Sequence, residues 1–192
     1  MQAMKAAAVF LDRDGTMNEE VGYLDSLERL VIYPQTPAAV KMINASGMKA
    51  VVVTNQSGVA RGYFSEALIT GVHEAMQERL SVAQAQLDAL YYCPHHPEGQ
   101  GVYRRSCGCR KPAPGMLFLA ARDLELDLSR SYLVGDTEKD METARAAGVK
   151  GALVRTGYGR EAEKAAARGD GRTCYVAEDI LAAVTWIMRD RA

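Results

Sequence analysis

Asp12 and Asp14, in the run VFLDRDGT from Val9 to Thr16, stand two residues apart at the end of a short apolar stretch that reads as a strand. Side chains alternate direction along a strand, so the two acids are expected on one side and Arg13 on the other. Acids so placed repel each other unless their roles are separated. A divalent cation separates them by holding one as an anion while the other carries a proton. Gly15 gives the backbone freedom to turn, and the Thr16 hydroxyl is expected to bond back into that turn. Alone, such a string is equally a strand running into an Asx turn, but three further polar clusters recur at the ends of later strands.

The first of these is TNQSGVARGY, where the Thr54 hydroxyl and the Asn55 amide are compact donors for phosphate oxygens. The second is GDTEKD, where Asp136 offers an oxygen to a hard cation and Asp140 follows one helical turn later on the same face. Magnesium suits this chemistry better than calcium, because it is often held by one or two carboxylates with waters and phosphate. The third is the pair Arg110 and Lys111, whose lysine supplies a cation for charge developing on a transferring phosphoryl group.

Cys93, His95, Cys107 and Cys109 form two close pairs, Cys-x-His and Cys-x-Cys, separated by a loop. Three thiolates and one imidazole suit tetrahedral zinc, with His96 as the alternative nitrogen ligand. Four protein ligands leave no open position. The zinc is therefore expected to be structural, fixing the loop that presents Arg110 and Lys111.

The elements that must position these groups alternate. Strands are predicted at Ala7 to Leu11, 49–53, 87–92, 131–134 and 152–154, with helices at 37–46, capped by Thr36 and ended by Gly47, and at 65–82, 114–123, 140–147 and 179–189. A further helix over 161–168, rich in alanine and charge, is expected at the surface. This alternation predicts an α/β, Rossmann-like three-layer sandwich with a central parallel sheet, whose carboxyl edge gathers the clusters. Cys174 and His73 are expected to be packing or surface residues, and Trp186 core.

The 192 residues, 48% hydrophobic, suffice for one core, so residues 1–192 are expected to form a single domain with a zinc loop at about 93–109. Twenty-three basic against 24 acidic residues leave a net charge of −1, with no basic block of the kind that binds nucleic acid. The apolar run Ala6 to Leu11 is too short for a signal sequence or membrane span, and the clustered cysteines fit a metal site in a reducing compartment. A cytoplasmic location is expected. Neither G-x-G-x-x-G nor G-x-x-x-x-G-K-[ST] follows a strand, which argues against a dinucleotide enzyme.

Taken in order, DRDGT, the TN pair, the RK pair and GDTEKD resemble the four motifs of the haloacid dehalogenase superfamily, over about Val9 to Gly148. Asp14, two residues after the first acid, resembles the pattern of its phosphatases rather than its dehalogenases. The resemblance implies that Asp12 attacks phosphorus and that Asp14 acts as general acid and then general base, with Thr54 and Lys111 on the phosphoryl group. It also implies that Mg2+ is held by Asp12, the Asp14 carbonyl and Asp136. A neighbouring carboxylate and burial are expected to raise the pKa of Asp14.

YYCPHHPEG, CGCRKP and ARGYF resemble the capless, Zn2+-loop group of that superfamily, which includes histidinol phosphatases. By this resemblance the substrate is a heptose bisphosphate, with histidinol phosphate as the alternative. By the same resemblance Glu20, Val21, Gly22, Tyr23, Thr54, Asn55, Gln56, Ser57 and Arg110 are expected to line the sugar and distal phosphate. A monomer is expected. Arg110 suits the task because its planar fork can grip a phosphate with two hydrogen bonds. A phosphate-ester binding module that has lost turnover is the reading from a different class, and the intact acids and lysine weigh against it.

Overall fold

The computed structural model describes residues 5–166 and 175–191. Six parallel strands, β1 (Ala8–Leu11), β2 (Lys49–Asn55), β3 (Ala89–Cys93), β4 (Tyr132–Gly135), β5 (Lys150–Val154) and β6 (Tyr175–Ala177), form one sheet in the order β3-β2-β1-β4-β5-β6. Helices α1 (Thr36–Ala45), α2 (Ser57–Ala60), α3 (Glu66–Val82), α4 (Gly115–Asp123), α5 (Glu138–Ala147), α6 (Gly159–Ala166) and α7 (Ile180–Asp190) connect them. The expected α/β architecture with a parallel sheet is what the chain adopts.

Strand alternation divides the core into two layers. Val9, Leu11, Ala50 and Val52 face one hydrophobic cluster with residues of α1, α3 and α7, whereas Ala8, Phe10, Val51 and Val53 face another with residues of α4 and α5. Burial on both faces explains why β1 and β2 read as continuous apolar runs. The strand order reverses at β1, because the chain passes from β1 outward to β2 and β3 and then returns to β4 on its other side. The carboxyl ends of β1 and β4 therefore flank a crevice, the place where open α/β sheets bind ligands.

Several local expectations are corrected. Thr36 is not the helix cap but the first residue of α1; Gln35 precedes it, and the Thr36 hydroxyl donates to the Met17 carbonyl at 2.7 Å. This bond ties α1 to the loop after β1. The helix predicted from Asp140 begins at Glu138, because Thr137 and Asp140 cap it reciprocally, and Gly148 ends it at φ +71°. β6 and α2 are too short to leave a periodic signal. Trp186 is only partly buried, stacked at 4.4 Å on Tyr175 and edge-on to Tyr132. The surface helix forms over Gly159–Ala166; residues 167 and 168 of the expected span, and Cys174, lie outside the described residues. Among the described residues, no helix is long and apolar enough to cross a membrane.

His73 on α3 is buried beside the Arg13 guanidinium, with its Nε2 3.4 Å from Nη1, and edge-on to Tyr92. Burial, assisted by the Arg13 charge, pushes its pKa down to about 4. A histidine that resists protonation in the fold contributes stability above its unfolded pKa and loses it as pH falls toward the folded value. Lowering the pH from 7 to 4 should therefore cost wild type about 2–3 kcal/mol more than His73→Gln, read as the difference between their urea midpoints.

Candidate active site

Asp12 follows β1 directly, and its N–H donates to the Val134 carbonyl of β4 at 2.9 Å, which holds its backbone at the crevice. Its Oδ1 lies 2.7 Å from the Lys111 ammonium, which also lies 2.6 Å from Asp140 Oδ1. Lys111 is only 4% exposed, so this ion triad is withdrawn from water. Burial favours a neutral amine, but Asp12 and Asp140 outweigh it and hold the lysine pKa above its ordinary value. The ammonium stays charged.

Asp136 follows β4 and completes a cluster in which oxygens of Asp12, Asp136 and Asp140 lie within 4.8 Å of one another. Its Oδ2 accepts the Tyr158 N–H at 2.8 Å, while its Oδ1 is buried without a hydrogen-bond partner. Such an orphan is costly unless something else satisfies it. Gly15 and Gly157 border this carboxylate so closely that a Cβ on either would sit 2.1 Å from Oδ2. Both glycines have positive φ, +81° and +53°, so close approach and backbone geometry impose the same residue.

Three carboxylates thus face one ammonium, an excess of two negative charges when all are ionised. Burial pushes Asp12 up to about 7 despite Lys111, and burial together with the Asp12 charge pushes Asp136 up to about 8. A divalent cation would offset that charge in place of protons. Asp12 and Asp136 fit one, with the orphaned Asp136 Oδ1 as a free donor. The Asp14 carbonyl fits too, since no hydrogen bond to it occurs among the described residues.

Asp14 departs from expectation. Alternation ends with the strand at Leu11, and Arg13, 1% exposed, folds back so that its Nη2 and Nε donate to Asp14 at 2.8 and 3.1 Å. Asn18 and Gln56 side-chain amides add bonds at 3.0 and 2.9 Å. Burial raises the Asp14 pKa, but the Arg13 charge and these donors outweigh it and hold the group below the ordinary carboxylate range, opposite to the direction expected.

Two residues do more or less than their types suggested. The Asn55 amide grips the protein as well as lining the cavity: one Nδ2 hydrogen goes to the Lys111 carbonyl at 3.1 Å and its Oδ1 accepts the Lys111 N–H at 3.0 Å, which leaves the second Nδ2 hydrogen free for a ligand. Asn55 is thus also a brace that sets where the lysine starts. The Thr16 hydroxyl is buried without a partner instead of closing the turn.

A cavity of about 260 Å³ opens over these groups, lined by Asp12, Asp14, Glu20, Gly22, Thr54, Asn55, Ser57, Arg110, Lys111 and Asp136. Three residues expected beside them do not line it. Val21 turns into the core, Tyr23 meets Tyr63 edge-on at 4.7 Å, and Gln56 is buried between Asp14 and Thr54. Thr137, Lys139 and Tyr158 also line the cavity. The signal for Tyr158 was present, since RTGYGR is a polar, glycine-bearing loop directly after β5, the same context as the other clusters.

The Cys93, Cys107 and Cys109 sulfurs lie 3.1–3.4 Å apart, with His95 Nδ1 3.4 Å from Cys109 Sγ and 3.7 Å from Cys93 Sγ. Four donors converge on one point, as a tetrahedral metal requires. His96 faces away, its Nδ1 accepting the Glu98 N–H at 3.1 Å. A metal at His95 Nδ1 needs the proton on Nε2, so the Arg105 side chain, now 2.7 Å from Nε2, must turn outward when it binds. Cys93 also ends β3, and its carbonyl accepts the Gln56 N–H at 2.8 Å. The cluster is thereby tied to the residue that follows β2, the strand that carries Thr54.

The HAD-hydrolase-like family model matches residues 108–183. D-glycero-D-manno-heptose-1,7-bisphosphate 7-phosphatase of Thermosynechococcus vestitus is 45% identical over 190 residues, covering 96% of each chain. The D-glycero-beta-D-manno-heptose-1,7-bisphosphate 7-phosphatase of Escherichia coli K12 is 46% identical over 168 residues, 85% of this chain and 88% of its own. Among solved structures, D,D-heptose 1,7-bisphosphate phosphatase from B. bronchiseptica, complexed with magnesium and phosphate, superposes with a TM-score of 0.85 at 32% identity, over 96% of this chain and 99% of that one.

Replacing Asn55 by alanine leaves two backbone groups of the Lys111 segment without their partner. Asn55→Ala should lower the unfolding free energy by about 1–3 kcal/mol at an unchanged denaturant m-value.

Proposed function

We propose that this chain, which belongs to the D-glycero-D-manno-heptose-1,7-bisphosphate 7-phosphatase family, is a hydrolase that removes the 7-phosphate of such a heptose bisphosphate and leaves the sugar 1-phosphate. The observation that carries this reading is the Asp12 carboxylate, paired with the buried Lys111 ammonium and facing the unpartnered Asp136 oxygen in an open cavity.

The Asp12 oxygen not engaged by Lys111 attacks phosphorus, forming an acyl-phosphate bond as the bond to the sugar oxygen breaks. Asp14 gives its proton to that leaving oxygen. In the second step Asp14 takes a proton from water, whose oxygen forms the new bond to phosphorus, and Asp12 leaves as a carboxylate with inorganic phosphate released. Two such steps replace one very slow hydrolysis. Lys111 and the Thr54 hydroxyl hold phosphoryl oxygens, and both are set in place before the substrate arrives: Lys111 by Asn55 and Asp140, Thr54 by Gln56 at 2.8 Å. Asp12, the Asp14 carbonyl and Asp136 would hold Mg2+, which would supply charge compensation between an anionic nucleophile and a phosphate dianion. Because Arg13 holds Asp14 as an anion, the substrate's own negative charge must raise its proton affinity for the first step.

Cys93, His95, Cys107 and Cys109 hold a structural Zn2+ that fixes the segment leading into Arg110 and Lys111. The chain works as one domain and as a monomer, since every group of the site comes from a single sheet edge of one chain. Its three free thiols at a metal site favour the cytoplasm.

Asp12→Asn should lower kcat at least about a thousandfold on the heptose bisphosphate while keeping fold and zinc content. Undiminished turnover in that variant rejects the nucleophile, and a large preference for histidinol phosphate over the bisphosphate rejects the substrate. Elemental analysis should find one zinc per chain. Cys109→Ser should lose most of it and melt about 10 °C lower.

A further inference from the structure

A second cavity, of about 500 Å³, adjoins the first and shares Arg110, Lys111 and Lys139 with it. Its other wall comes from the zinc loop, including His96 and Glu98, and from Arg61 just beyond α2. Setting aside Lys111, which Asp12 and Asp140 already engage, three cations face this space against one carboxylate, Glu98.

Those cations are under-used by the protein. The Arg61 Nε is buried without a partner, and its Nη2 makes only long contacts, 3.4 Å to Glu98 and 3.5 Å to His96 Nε2. Arg110 has one side-chain hydrogen bond among the described residues, from Nη1 to the His95 carbonyl at 3.2 Å. Lys139 has no ion pair or side-chain hydrogen bond among the described residues, and it stands in the first turn of α5, where the helix dipole disfavours a cation. A lysine kept there at a local electrostatic cost suits an anion that arrives from outside.

We infer that Arg61 and Lys139, from the walls of the second cavity, reach the phosphate that is not hydrolysed and, beside Arg110, determine preference for a bisphosphate over a monophosphate. The inference rests on the reaction proposed above, because only a substrate with two phosphates offers one to these cations while the other is hydrolysed. Arg61 and Arg110 can each offer several N–H groups to a phosphate, and Lys139 adds a point charge at the shared rim.

The test compares kcat/KM for the heptose 1,7-bisphosphate with kcat/KM for the heptose 7-phosphate. Wild type should favour the bisphosphate. Arg61→Gln and Lys139→Gln should each lower the ratio about tenfold, and Lys139→Arg should keep it. Lys139→Glu, at an exposed position that folding does not depend on, should lower it further and decides the matter should Arg61→Gln fold poorly. A ratio unchanged in Lys139→Glu and in the Arg61→Gln/Lys139→Gln double variant overturns the assignment while leaving the proposed reaction intact. Failure of wild type to hydrolyse either ester sinks both.

Discussion

The Lys111 ammonium, buried between Asp12 and Asp140, is the interaction on which the rest of the site depends. A buried cation is costly unless well paired, and two carboxylates at 2.6 and 2.7 Å pair it. The same pairing fixes Asp12 at the end of β1. With Asp136 alongside, the triad becomes a site with surplus negative charge, and that surplus rather than any single residue is what a divalent cation would offset. Asp140 therefore has two jobs: one oxygen holds Lys111, and the other caps α5 through Thr137.

The lysine can occupy this position because its backbone is gripped from two directions. Asn55 at the end of β2 binds both its N–H and its carbonyl. The cysteine and histidine cluster ends at Cys109, two residues earlier, and is anchored to the end of β3 through Cys93. A flexible side chain then needs to lose little freedom when a phosphoryl group arrives, which is the physical content of preorganisation. The cysteine and histidine loop contributes a second wall as well, since His96 and Glu98 turn outward from the cluster and bound the adjoining cavity.

Asp12 and Asp14, although only two residues apart, have opposite environments. Asp12 is pushed up by burial among other acids, while Asp14 is held down by Arg13, Asn18 and Gln56. The residue between them, which a strand would have pointed away, supplies the guanidinium that makes this difference. Asp136 is held in a comparable way by backbone alone: Gly15 and Gly157 approach it more closely than any side chain permits, and Tyr158 contributes its N–H. Close backbone contact at a strand's carboxyl end is what the switch point between β1 and β4 makes geometrically available.

The residue pattern by itself determined the layer architecture and the chemistry-bearing positions. Continuous apolar runs at β1 and β2 required burial on both faces, and the spacing of Cys93, His95, Cys107 and Cys109 marked a loop whose four donors converge. It did not determine what each polar group does. Asn55 looked like a ligand donor and is also a brace; Gln56 looked like a lining residue and is a bridge between Asp14 and Thr54; Arg13 looked idle and sets the ionisation of Asp14. Nor did it reveal Tyr158 or Lys139 at the cavity, or the sixth strand, whose three residues carry no period. The reason is common to all of these. Residue type and spacing fix a side chain's capacity and the direction in which a regular element points it, but beyond the last residue of a strand that direction is no longer periodic. There, hydrogen-bond partners come from segments distant in the chain, and only the folded arrangement of strand ends decides which donor meets which acceptor.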